Sequence, residues 1–133
     1  MKKINLKVND TKVPIIIGRG IFKTVSVAEY VSKNDVVIVT NSTIAKLYLK
    51  QTKYLFREFN VSSLVLPDGE KYKNIQTLQK IYDFLIKSKL DRSVTIVALG
   101  GGVIGDMVAF AADTFMRGVD LIHIPTTLLA QVD

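Results

Sequence analysis

The chain has 133 residues, 48% of them hydrophobic and 23% charged, and its 18 Lys and Arg against 12 Asp and Glu give a net charge of +6. These values are typical of one globular domain and exclude a disordered chain. The absence of cysteine excludes disulfides and thiolate metal sites, and the single histidine, His123, argues against a self-contained zinc site with several imidazole ligands.

The positive charge is unevenly distributed. Residues 1–89 hold 16 basic and 7 acidic residues, whereas residues 90–133 hold 2 and 5. The lysines are scattered without interleaved aromatic residues, which predicts a solvated surface and no nucleic-acid partner. The N-terminus lacks the apolar core of a secretory signal, and the apolar stretch 94–112 contains Asp106 and four glycines. We therefore predict a soluble, cytoplasmic protein that does not span a membrane.

The predicted elements begin with a β-hairpin, because Ile4, Leu6 and Val8 alternate with polar residues and the turn-forming residues 9–12 precede an apolar segment, 13–17. Continuous apolar runs without alternation then predict strands that are buried on both faces of a parallel sheet. These runs are 36–39, 63–66, 94–99 and 121–124.

Helices are predicted between these strands. The first carries its apolar face on Ile44, Leu47, Tyr48 and Leu55, after the capping candidates 41–43. The second begins after Asn74 and has an apolar stripe formed by Ile75, Leu78, Ile81, Tyr82 and Leu85. The third, 107–116, is apolar almost all round and is predicted to be buried. The order indicates an α/β fold, with a Rossmann-like, mostly parallel sheet, helices on both faces and an N-terminal β-hairpin.

A glycine-rich turn follows the third of the apolar runs. Gly100, Gly102 and Gly105 match the pattern G-x-G-x-x-G at a strand-to-helix junction, where backbone N–H groups and the helix N-terminus can bind a pyrophosphate. The alternative is a tight crossover without a ligand. No carboxylate stands at the end of the following strand to bind a ribose, so Asn41 is a candidate for that contact, and it is equally suited to cap a helix.

Other polar residues have both a structural and a functional interpretation. The loop 67–73 contains a Pro-Asp-Gly turn signal, and it leaves the same sheet edge as the glycines if the sheet is parallel. Asp106 is either a stabilising carboxylate in the first turn of a helix or a ligand contact. Arg117 either donates to the last carbonyl oxygens of a helix or binds a phosphate. His123 is predicted to be a core histidine, while Thr126 and Thr127 suit a helix cap or a ligand equally.

Together these segments resemble the N-terminal part of the 3-dehydroquinate synthase family, which comprises NAD- and metal-dependent cyclases of the shikimate pathway. The resemblance covers the whole chain in order, through five segments. These are 39–41, 66–73, 98–106, 115–118 and 125–133.

The resemblance implies that two groups of residues bind a cofactor or a substrate. The implied NAD-binding residues are Asn41, Asp68, Gly69, Glu70, Lys71, Tyr72, Lys73, Gly102, Val103, Ile104, Gly105, Asp106, Thr126 and Thr127. Arg117, from the neighbouring subunit of a homodimer, and Asp133 are implied to contact the substrate.

The implied reaction converts 3-deoxy-D-arabino-heptulosonate 7-phosphate to 3-dehydroquinate and phosphate, by transient oxidation with NAD, phosphate elimination, reduction and aldol closure. The family's metal ligands, for zinc or cobalt, lie in a C-terminal helical domain that these 133 residues lack, and the last predicted helix has no C-cap signal. The expectation is one N-terminal NAD-binding domain, 1–133, that is inactive and binds NAD weakly when isolated. Alternatives are another sugar-phosphate cyclase, of the inosose or valiolone type, or a stand-alone nucleotide-binding module; a polyol dehydrogenase fits the loops less well.

Overall fold

The computed structural model describes all 133 residues, in two sheets and six α-helices. Strands β1 (Lys2–Val8) and β2 (Thr11–Ile17) form a separate antiparallel hairpin, as predicted. Its loop consists of Asn9 and Asp10 alone, with Asn9 in the left-handed region at a φ of 54°. The turn is therefore tighter than the four polar residues indicated.

Four parallel strands form the main sheet in the order β4-β3-β5-β6. They are β3 (Asp35–Asn41), β4 (Asn60–Leu66), β5 (Thr95–Gly100) and β6 (Asp120–Pro125). All four predicted strands are confirmed, and β4 begins three residues earlier than its apolar run. The α/β fold and the N-terminal hairpin are confirmed as well.

The helices lie between the strands and around them. They are α1 (Ile21–Thr24), α2 (Ser42–Ile44), α3 (Lys50–Leu55), α4 (Ile75–Lys87), α5 (Gly102–Thr114) and α6 (Leu128–Val132). A π-helical turn, Ala45–Leu49, joins α2 to α3. No helix has the length and apolar character needed to cross a membrane.

Helices cover both faces of the sheet, and alternate residues of β3 and β5 point to opposite faces. Val37 and Val39 pack with Ile96 of β5 under α4 and α5, around Ile81 and Val108. On the other face, Val36, Ile38, Val97 and Leu99 pack against Phe56, just after α3. The central strands β3 and β5 are thus buried on both sides, which explains why their sequences show no alternation.

The predicted apolar face of the first helix is partly wrong. Leu47 is 62% exposed and Tyr48 is also exposed, whereas Leu49 packs against the core together with Ile44 and Leu55. The π-helical turn inserts one extra residue between contacts with the sheet, so that the buried side chains follow a spacing of five rather than four. Periodicity based on 3.6 residues per turn could not predict this shift.

Two further helix predictions need correction. Ile75 is exposed, because it is the first residue of α4 and lies beyond the buried stripe. Helix α5 ends at Thr114 and buries only one side, leaving Phe110 57% exposed. An apolar composition all round therefore did not produce a helix buried all round, since α5 packs on one face of a sheet whose last strand is β6.

Candidate cofactor-binding site

The order of the strands creates a crevice at the carboxyl edge of the sheet. From β3 the chain crosses to β4 on one side, while β5 and β6 lie on the other side. The connections after β3 and after β5 run to opposite faces of the sheet, since α2 and α3 cover one face and α5 the other. Doubly wound sheets bind their ligands at such a switch point. Asn41 and Gly100 end the two strands that flank it.

The glycines after β5 have different structural roles. A Cβ at Gly100 would lie 2.8 Å from the Cβ of Ile104, so Gly100 allows α5 to pack closely on the end of its own strand. At Gly102 no atom lies within 4 Å of the position that a Cβ would occupy. A glycine with open space beside it is what close approach of a ligand to the backbone requires.

The start of α5 offers donors to that open space. Its N-cap, Gly101, contributes no side-chain hydrogen bond, so no side chain satisfies the N–H groups of the first turn. The nearby Thr126 has a buried hydroxyl without a hydrogen-bond partner, and its N–H donates to the Gly100 carbonyl oxygen at 2.9 Å. Free N–H donors, an unpartnered hydroxyl and an open glycine fit the pyrophosphate of a dinucleotide such as NAD.

The loop after β4 is fixed beside this crevice. Gly69 has a φ of 128°, which only glycine adopts readily, and it directs the chain into a 3-10 turn, Glu70–Tyr72. The hydroxyl of Thr43 donates to Oδ2 of Asp68 at 2.7 Å, which ties the loop to the start of α2. The ammonium of Lys71 lies 5.1 Å from the ring centroid of Tyr72.

An ion pair connects the same loop to the glycine turn. Nζ of Lys73 donates to Oδ2 of Asp106 at 2.7 Å, and both side chains are partly exposed. The hydrogen bond to Asp106 and the negative charge of Asp106 raise the pKa of Lys73, with smaller contributions from Glu70 and Asp133. The predicted position of Asp106 in the first helical turn is wrong: α5 begins at Gly102, so Asp106 lies one turn further along and pairs with Lys73 instead.

The structure assigns a capping role to two residues whose interpretation was open. Oδ1 of Asn41 accepts a hydrogen bond from the Ile44 N–H at 2.9 Å and caps α2. Oγ1 of Thr127 accepts from the Ala130 N–H at 3.1 Å and caps α6. The amide nitrogen of Asn41 takes no part in its cap, so a contact with a ribose stays a prediction.

Arg117 lies in a left-handed turn after α5. Its φ is 65°, and its neighbours Met116 and Gly118 have φ values of 48° and 105°. The carbonyl oxygens of Ala112 and Phe115 accept from the backbone N–H groups of Val119 and Gly118, not from the arginine side chain. Arg117 is exposed, and its side chain donates to neither of these carbonyl oxygens. Arg117 therefore does not donate to the last carbonyl oxygens of α5, and its binding of a phosphate stays a prediction.

His123 is not a core histidine, contrary to the prediction. It lies on β6, the last strand of the sheet, and is exposed. A Cβ added to Gly105 would lie 3.8 Å from the imidazole ring, so one side of the ring rests against α5. An apolar run in the sequence does not distinguish a central strand from an edge strand, and here the edge position exposes the histidine.

We expect the stability of the protein to fall as the pH drops through 6.5 because of His123. Burial of one ring side lowers its pKa below the ordinary 6.5, and Asp106 opposes this only in part. The unfolded chain therefore takes up a proton first as the pH drops below 6.5, which favours unfolding. Urea unfolding above and below pH 6.5 should show a smaller loss of unfolding free energy for His123→Gln than for the wild type. Equal losses would contradict the assignment of this pH dependence to His123.

Sequence reasoning missed several contacts at the crevice. It did not identify Thr43 as a partner of Asp68, or the ion pair between Lys73 and Asp106, whose members are 33 positions apart. It also missed Thr40, whose buried hydroxyl has no partner at the end of β3. For Thr40 and Thr43, the only local signal was a polar residue at the end of a buried strand or shortly after it.

The residues present do not fit the metal site of the family. No three His, Asp or Glu side chains lie close enough together to hold a metal ion. Asp106 is the charged group that acts on the pKa of His123, and its carboxylate is paired with Lys73.

Residues 63–133 match the protein family described as 3-dehydroquinate synthase N-terminal. The chain belongs to this family. The match contains the end of β4, the loop 67–73, the glycine turn and Thr126, all of which border the crevice. The recognition of the 3-dehydroquinate synthase family from the sequence is thus confirmed.

Similar proteins cover the entire chain. A 3-dehydroquinate synthase from Hydrogenovibrio crunogenus is 47% identical over 134 residues, and one from Ruthia magnifica is equally similar. The chain spans only 37% of the length of each of these relatives. A solved structure of 2-deoxy-scyllo-inosose synthase, complexed with carbaglucose-6-phosphate, NAD+ and Co2+, matches with a TM-score of 0.88 at 26% identity. The match covers 97% of this chain and 36% of the inosose synthase chain.

Proposed function

We propose that residues 1–133 are the NAD-binding domain of a cytoplasmic 3-dehydroquinate synthase. The reaction would convert 3-deoxy-D-arabino-heptulosonate 7-phosphate to 3-dehydroquinate and phosphate, in the shikimate pathway that leads to aromatic amino acids. The observation that carries the proposal is the open side of Gly102 at the free start of α5, beside the unpartnered hydroxyl of Thr126. Identities of 47% to 3-dehydroquinate synthases, against 26% to an inosose synthase, favour this member of the cyclases.

When bound, NAD supplies a hydride acceptor that oxidises a substrate hydroxyl and returns the hydride within the same turnover. The role of this chain is to hold that cofactor. The first-turn N–H groups of α5, from Gly102 to Ile104, donate to its pyrophosphate. The side chain of Ile104 is buried in the core, so this residue contributes through its backbone alone. The helix dipole adds to the attraction for negative charge.

The loop 67–73 forms the opposite wall of the cofactor site in this proposal. Asp68 and the amide nitrogen of Asn41 bind ribose hydroxyls, while Glu70 and Lys71 border the opening. Lys73, which is held by its pair with Asp106, offers its ammonium group at the pyrophosphate. Thr43 and Asp106 hold the loop in place from the two sides of the crevice.

We assign two residues to the substrate. Arg117 binds its phosphate from the neighbouring subunit of a homodimer, which is supported by its exposed position in the left-handed turn after α5. Asp133 follows α6, and its negative charge acts on Lys73 of the loop 67–73. The divalent metal, zinc or cobalt, and the remaining substrate contacts belong to a C-terminal helical domain outside these residues.

The isolated chain is expected to show no turnover and only weak NAD binding, because one wall of a cleft between domains is missing. The test compares it with a chimera in which these residues replace the matching part of a 3-dehydroquinate synthase relative. With NAD and zinc added, the chimera should form dehydroquinate and the isolated chain should not. Dehydroquinate formation by the chain alone, or a micromolar dissociation constant for NAD by calorimetry, would contradict the division of roles, and an inactive but folded chimera would contradict the function.

A further inference from the structure

Helix α5 ends on a hydrogen bond that joins it to α4. The hydroxyl of Thr114, the last residue of α5, donates to the Phe110 carbonyl oxygen at 2.7 Å. Since its single proton is used there, the Thr114 hydroxyl accepts the hydrogen bond from the hydroxyl of Tyr82 on α4. No other hydrogen bond joins these two helices, so this contact alone ties the end of α5 to α4 by a polar interaction.

The turn that follows Thr114 depends on its anchors. Its residues Met116, Arg117 and Gly118 all have positive φ values, and the Gly118 N–H donates to the Phe115 carbonyl oxygen at 2.9 Å, within the turn itself. The side chain of Arg117 donates no hydrogen bond within the chain. A backbone in such sparsely populated conformations persists only where its surroundings fix it. The anchors before the turn are the buried ring of Phe115 and the bonded hydroxyl of Thr114.

The side chain of Tyr82 makes two separable contacts. Its ring packs against the hydrophobic core that also contains Phe115, and this packing helps to hold α4 against α5. Its hydroxyl reaches further, to Thr114 at the very end of α5. The variant Tyr82→Phe would keep the first contact and remove only the second. The hydroxyl can therefore be tested without opening a cavity in the core.

We propose that Tyr82 is a positioning residue for Arg117: its hydrogen bond to Thr114 fixes the last turn of α5, and with it the turn that presents Arg117 to the substrate phosphate. The inference rests on the phosphate-binding role proposed for Arg117. Helix α5 has 13 residues and is therefore about 20 Å long, which separates this turn from Gly102 at the cofactor crevice. The hydroxyl of Tyr82 should thus affect phosphate binding and leave NAD binding unchanged.

Tyr82→Phe in the chimera tests this role. The KM for the sugar phosphate and the dissociation constant for inorganic phosphate should both rise about threefold to tenfold, as expected for the loss of one neutral hydrogen bond, with unchanged NAD affinity. Thr114→Val should have the same effect, whereas Thr114→Ser keeps a hydroxyl and should retain the wild-type values. Tyr54→Phe is the matched control, since Tyr54 on α3 is 65% exposed and lies outside this contact.

Comparison with Arg117→Ala separates the possible outcomes. In the Arg117→Ala background, Tyr82→Phe should weaken phosphate binding no further, because a positioning residue acts only through the residue that it positions. An additive loss would overturn the proposal, as would a Tyr82→Phe variant with a lower melting temperature and unchanged phosphate binding. If Arg117→Ala weakens phosphate binding and Tyr82→Phe does not, only the positioning role fails. If neither variant has an effect, the proposed phosphate contact of Arg117 fails as well. Titration with inorganic phosphate provides these comparisons without turnover.

Discussion

Replacing Gly102 with valine should abolish dehydroquinate formation by the chimera while leaving it folded. The side chain would fill the open space beside the start of α5, so the pyrophosphate could no longer approach the N–H groups of the first turn. Hydrogen bonds to a charged group contribute roughly 1.5–3 kcal/mol each, so the loss of two corresponds to a fall in NAD affinity of about 100-fold or more. Calorimetric titration with NAD measures this loss.

Gly100→Ala is the matched control, because Gly100 lies two residues away and is restricted by protein atoms rather than by a ligand. Its added Cβ would lie 2.8 Å from the Cβ of Ile104, and such overpacking costs about 1–3 kcal/mol of stability. We expect a lower melting temperature with NAD binding retained by the folded enzyme. Unchanged NAD affinity in Gly102→Val would show that the open side of this glycine does not receive the cofactor.

Removing the carboxylate of Asp106 should weaken NAD binding by about tenfold with little change in melting temperature. The pair with Lys73 is exposed, and exposed pairs contribute little to stability. We expect the ion pair to act instead by holding the loop 67–73 and the charge of Lys73 at the cofactor. The loss of one charge-assisted hydrogen bond corresponds to about one order of magnitude in affinity.

A double-mutant cycle sharpens this prediction. If Lys73 and Asp106 act as a unit, Asp106→Asn together with Lys73→Gln should lose no more NAD affinity than Lys73→Gln alone. The exposed pair between Lys3 and Glu29, with a distance of 3.3 Å, is the natural control, and Glu29→Gln should leave NAD binding unchanged. Additive losses at positions 73 and 106 would mean that each residue acts independently.

The strands of this fold could be predicted from the sequence because the physical signal is local. The central strands β3 and β5 are buried on both faces, so their sequences are continuous apolar runs. Asn74 likewise identified the start of α4, and its side chain accepts from the Thr77 N–H at 2.9 Å. Such signals depend on a few neighbouring residues, which is why the strands and their order along the chain were predicted correctly.

The candidate site was only partly predictable. The glycine pattern indicated where a phosphate could bind, but the sequence did not show that Gly100 serves packing while Gly102 faces open space. Neither could it show that His123 lies at the edge of the sheet, since edge and centre are set by the strand order. The ion pair of Lys73 with Asp106 depends on the tertiary path of the chain, which no local pattern contains.

The left-handed turn after α5 sets the thermal stability of the protein against its activity. Met116 and Arg117 adopt a backbone conformation that residues with a Cβ disfavour, at a cost of order 1–3 kcal/mol each. Glycine at position 116 would relieve part of this strain, so selection for thermal stability alone should favour it. The same change would loosen the turn that carries Arg117, so that a more heat-resistant variant would be the less competent one.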